Sequence, residues 1–177
     1  MVISPVHGRI RLLVGATVSL MVFGLFGCSS SSSSTAPDAE EFAARMDAKA
    51  AQVLPDVDAA LGGTLGEMTA SFYSKSGSLG VWNYNARGTW TDVPHDRATA
   101  ADRIADVLTQ DGMKVTRKEE TAASVVRGSV DGIHFTFAVS APTTTLASVE
   151  IGSEEGLSSD GDFAENAPAV DYAALVQ

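Results

Sequence analysis

From Phe42 onward residues that can face a core return at Phe42, Met46, Lys49 or Ala50, Val53, Val57 and Leu61, the three-and-four spacing of one face of a helix. Asp38 can cap such a helix, with Glu41 three residues on completing a capping-box-like arrangement. The pattern predicts a helix over 39–60, kinked or divided at Pro55 and ended by Gly62-Gly63. The period then changes. Residues 64–73 and 79–91 are aromatic and alternating, with Ser74-Lys75-Ser76-Gly77-Ser78 between them, and read as a hairpin. Pro94-His95-Asp96 opens a second helix, with Ala98, Ala101, Ile104, Ala105 and Leu108 inward and Gly112 as its stop.

Four more strands follow, over 113–118, 122–130, 133–140 and 144–152. Asp131-Gly132 between the middle two suits a type I′ turn, which needs positive φ at both positions. Ile133, Phe135, Phe137 and Val139 alternate with His134, Thr136, Ala138 and Ser140, so one face of that strand is core and the other polar. A sheet covered on one side only is expected. The fold class that results is α+β: two helices on one face of an antiparallel sheet, in the order α-β-β-α-β-β-β-β, over residues 38–153. Residues 154–177 carry six acids, no base and scattered apolar positions. They read as an acidic, disordered tail whose only candidate element is a short helix near 170–176.

The amino terminus is of another kind. Residues 1–27 hold Arg9 and Arg11, no acid, and an uncharged run of 16 residues from Leu12 to Gly27. That run is short of the roughly 20 residues a membrane-spanning helix needs, so a cleaved signal peptide is the expectation. It ends at Leu25-Phe26-Gly27-Cys28, and Cys28 is the only cysteine, so no intramolecular disulfide can form. These four residues resemble the lipobox of bacterial lipoproteins, with Phe26 bulkier than the usual occupant. In that family the thiol receives diacylglycerol and a dedicated peptidase cuts just before the cysteine, here between Gly27 and Cys28. The resemblance implies a palmitate-type lipid anchor on Cys28, with an N-acyl chain as an optional addition, and residence on the extracytoplasmic face of the cell membrane. Two acyl chains give the firm anchoring that one cannot, at about 0.8 kcal/mol per buried methylene. Residues 28–37, the lipidated Cys28 followed by six serines and Thr-Ala-Pro, read as a tether.

Residues 28–177 hold 10 basic and 22 acidic residues, a net charge of −12. A surface of that sign disfavours nucleic acid and anionic headgroups as partners of the folded part. Candidate chemistry is thin. No G-x-S-x-G elbow accompanies His95 or His134, so no catalytic residue is assigned and a small hydrolase is the least favoured reading. No H-E-x-x-H is present, and Ser159-Asp160-Gly161-Asp162 lacks the third donor and the distal Glu of an EF-hand loop, so no metal or other cofactor is expected. Trp82, Tyr84 and Trp90 share one side of a strand, where they could form a platform for cell-wall glycan; the core under the helices is the better assignment for them. The polar side of the sheet around His134, Thr136 and Arg127 is the candidate binding surface, for an extracytoplasmic protein or a wall component.

In the folded part, Gly112-Met113-Lys114-Val115 after a helix and the hairpin Val130-Asp131-Gly132-Ile133-His134-Phe135-Thr136-Phe137 resemble the small helix-and-meander domains of uncharacterised actinobacterial lipoproteins, the mycobacterial LppA-like group among them. That resemblance implies location and fold, and no activity.

Overall fold

A computed structural model describes residues 37–75, 79–141, 143–159 and 163–177. The signal segment, Gly27, Cys28 and the tether up to residue 36 lie outside the described residues, as does most of the Ser159–Asp162 loop.

Helix α1 spans Ala39–Leu61. Asp38 caps it by accepting from the Glu41 N–H at 3.0 Å, and Gly62 closes it at φ 65°. It runs through Pro55 as one helix instead of dividing there. Val53, Leu54, Val57 and Leu61 are buried on either side of the proline, and burial of about 1.5–3 kcal/mol per side chain outweighs one lost backbone bond. Strands β1 (Thr64–Leu65), β2 (Thr69–Ser74) and β3 (Val81–Val93) follow. Helix α2, Arg97–Gln110, starts on Asp96, whose carboxylate accepts from the N–H groups of Ala98 and Thr99, both at 3.0 Å. A meander follows, so the expected order holds except that the first strand is divided into β1 and β2: β4 (Lys114–Glu119), β5 (Ser124–Val130), β6 (Ile133–Ser140) and β7 (Thr145–Ser153). Asp131 and Gly132 turn β5 into β6 with φ of 50° and 78°, as a type I′ turn requires.

The sheet is antiparallel, in the spatial order β4-β5-β6-β7-β3-β2-β9, where β9 is the two-residue strand Val170–Asp171. Its spine is the 13-residue β3. Strands β2 and β1 pair with one side of it in succession, and β7 and the short β8 (Leu157–Ser158) with the other. Both helices lie on one face, over a core that includes Phe42, Met46, Ile104, Leu108, Phe135, Phe137 and Ile151. Gly128 lets α2 settle closely, since a Cβ there would stand 2.8 Å from Met113 Sδ and 3.1 Å from Leu108 Cδ1.

Residues 154–177 correct the expectation of a disordered tail. β8, a turn of helix α3 (Phe163–Asn166), the two-residue β9 (Val170–Asp171) and a 3₁₀ turn over Ala173–Val176 are all ordered parts of the domain. Of the short helix expected near 170–176, the last four residues form that 3₁₀ turn, and Val170–Asp171 before it pair with β2 instead. Leu157, Ala164 and Tyr172 are buried. Three apolar anchors of low sequence density suffice because each lands on a surface already built: Leu157 beside Trp82, Ala164 near α1, and Tyr172 between Met68 and α1. The same segment holds the entry to the domain, with the Ser158 N–H donating to the Pro37 carbonyl at 2.9 Å.

Candidate functional site

Alternation along the strands sends Phe135, Phe137 and Val139 into the core and leaves His134, Thr136 and Ala138 on the opposite face. α1, α2, α3 and the 3₁₀ turn belong to the core side, so the outer face is open among the described residues. Pairing across it aligns Arg127, Thr136, Glu150, Arg87 and Thr69 in one row over five strands. Arg127 Nε donates to Thr136 Oγ1 at 3.2 Å, and Arg87 Nη2 donates to Glu150 Oε1 at 3.0 Å. The second contact is an ion pair between well-exposed side chains, worth about 0–1 kcal/mol at most. Its consequence is local charge balance more than stability.

The structure thus brings Arg127, Thr136 and His134 together on one surface. Arg127 and Thr136 are cross-strand partners, and His134 lies one row over, opposite Ser129 and Gly152. Half-burial holds the His134 imidazole below its ordinary pKa of 6.5, an effect that Glu150 opposes and Arg127 reinforces. Sequence reasoning missed Glu150 and Arg87, which complete the row. A polar residue at every second position of 83–91 was visible, but only sheet order shows that β3 sits next to β7.

A shallow hollow of ≈ 610 Å³ lies over this row, lined by Arg87, Thr89, Thr136, Ser148 and Glu150 and bounded by Glu67. A second, of ≈ 470 Å³, begins at the same Glu67 and Arg87 and extends over Thr69 and Asn85 to Tyr73.

The aromatic run on β3 points the other way. Tyr84 and Trp90 are buried beneath α1, and Trp82 is half-buried against the core beside Leu157. The three rings therefore form no exposed glycan platform, which corrects their place among the candidate ligand-binding residues. Each of the two buried rings keeps a polar atom, and α1 answers both. Tyr84 donates its hydroxyl to Asp47 Oδ1 at 2.8 Å, and Trp90 Nε1 donates to Asp58 Oδ1 at 2.7 Å. Asp47 and Asp58 are eleven residues apart, three turns of helix, so they share a face. Burial first, then Asp47, push the phenols of Tyr84 and Tyr172 well above the ordinary tyrosine range. Both phenol rings are buried and Asp47 is half-buried between helix and sheet, so the work of this cluster is structural.

His95 is half-buried before α2, and neither it nor His134 hydrogen-bonds a serine or carboxylate among the described residues. No group of three or more His, Cys, Asp and Glu side chains converges as metal ligands among the described residues. No described helix is long and apolar enough to cross a membrane. No known protein family, curated protein or solved structure matches the chain.

Proposed function

We propose that this chain is an extracytoplasmic lipoprotein, held to the cell membrane by lipid on Cys28, whose folded part is a non-enzymatic binding module. The anchor rests on the basic start, the 16-residue apolar run, the Leu25-Phe26-Gly27-Cys28 sequence and the single cysteine at its end. These features set it beside the bacterial lipoproteins whose lipobox its sequence resembles. The binding surface is the open sheet face. One observation carries that choice: the row of Arg127, Thr136, Glu150 and Arg87 spans four adjacent strands with no described element over it.

Two measurements test the reading. Cys28→Ala is expected to abolish incorporation of labelled palmitate and to leave the precursor uncut; a variant that still takes label overturns the anchor. A photo-crosslinking residue at Thr136 is expected to capture a component outside the membrane, and one at Asp106 on the exposed side of α2 is not. Equal capture from both positions, or none from Thr136, overturns the surface.

A further inference from the structure

We infer that the two hollows of the open face form one groove for a neutral oligosaccharide, with Tyr73 stacking on a sugar ring and Asn85, Glu67, Arg87 and Glu150 hydrogen-bonding its hydroxyls. The inference rests on the reading of this face as the binding surface and adds the class of ligand.

Shape comes first. The hollows adjoin along Glu67 and Arg87, which line both, and together reach from Thr136 on β6, past Glu150 and Arg87, to Tyr73 on β2. The path crosses four strands, about 14 Å at ~4.8 Å per strand. Sites for compact small molecules enclose most of the ligand surface. This groove is open along its length and suits a chain that passes through it.

Charge narrows the class. Arg87 and Glu150 balance one another at 3.0 Å, and Glu67 stands beside them. With that pair balanced, Glu67 leaves the groove net negative, so an anionic polymer is repelled and an uncharged one is not.

The side chains favour a polyol over a protein. Amide, guanidinium and carboxylate groups are planar and offer two hydrogen-bonding atoms each, which matches pairs of neighbouring hydroxyls on a sugar ring. Tyr73 is 52% exposed at the β2 end of the groove, free to cover the C–H face of a pyranose. Protein interfaces instead centre on desolvated aromatic or aliphatic anchors. Among the described residues the exposed large apolar side chains are Tyr73, Leu79 and Phe163, and of these only Tyr73 lines the groove, at its end.

The test is calorimetric titration of the lipidated full chain in detergent micelles with tetrasaccharides of N-acetylglucosamine, glucose, mannose and arabinose. At least one is expected to bind saturably. Tyr73→Ala should weaken that binding about tenfold, Tyr73→Phe should keep it, and Thr116→Ala, on the same face beyond the groove, should leave it unchanged. Absence of binding by all four sugars, or an affinity indifferent to Tyr73→Ala, overturns the proposal. Crosslinking from Thr136 separates the two ways of failing. Capture of a protein with no sugar binding overturns the glycan and leaves the surface standing; no capture and no binding overturn both.

Discussion

Tyr172 donates its hydroxyl to Asp47 Oδ1 at 2.6 Å, across 125 residues of chain, and Tyr84 donates to the same oxygen at 2.8 Å. One carboxylate on α1 therefore holds both the central strand and the last segment of the domain. Tyr172→Phe removes one donor and leaves the carboxylate partnered, so it should cost about 1–2 kcal/mol. Asp47→Ala strands two buried hydroxyls and should cost more, about 2–4 kcal/mol. Urea unfolding of the two variants reads the difference. A neutral Tyr172→Phe, or an Asp47→Ala no worse than it, would show that the C-terminal segment is not locked to the helix in this way.

Trp90 is fully buried with its N–H on Asp58, whereas Trp82 is half-buried near the sheet end. Fluorescence of the native protein should therefore combine a blue-shifted, poorly quenched emission with a redder, acrylamide-quenchable one. Trp90→Phe is expected to remove the blue component and, by losing both packing and a hydrogen bond, to destabilise the domain by about 1–3 kcal/mol. Should the remaining Trp82 emission be as blue and as protected as before, the two environments have been misassigned.

His134 supplies a pH dependence whose sign follows from its surroundings. Half-burial lowers its pKa in the folded state below 6.5, so on acidification the unfolded chain takes the proton first. The stability tied to this histidine is present above pH ~6.5 and is lost as pH falls through the lower folded value. His134→Gln should flatten that part of the profile. Urea midpoints at pH 7.5 and 5.0 for both proteins measure it, and carboxylates common to the two cancel in the comparison. A variant that loses as much on acidification as the parent would rule the histidine out.

Of the candidate binding face, the half on β5 and β6 was legible along the chain. A two-residue turn at Asp131-Gly132 joins those strands, so the period-2 pattern of 133–140 places Arg127 opposite Thr136 with nothing else known. The other half was not. Arg87 and Glu150 are 63 residues apart, and their pairing depends on β3 entering the sheet beside β7 and not beside β4. Tyr73 was hidden for a different reason. It alternates with Phe72, and which of two adjacent aromatics faces solvent depends on which side the helices cover.

The turn at Asp131-Gly132 and the caps at Asp38 and Asp96 follow from side chains acting on backbone a few residues away, and these are settled locally. The lipobox resemblance at Leu25-Phe26-Gly27-Cys28 is likewise a matter of adjacent residue types. Tertiary structure decided the rest. Residues 154–177 have too few apolar positions to fold by their own periodicity, yet Leu157 and Tyr172 are buried because α1, β2 and β3 already present surfaces to receive them. The rings of Tyr84 and Trp90 became core because Asp47 and Asp58 meet their polar atoms from the helix above. Local chemistry chooses the elements; burial across long separations in the chain chooses which faces meet and which stay open.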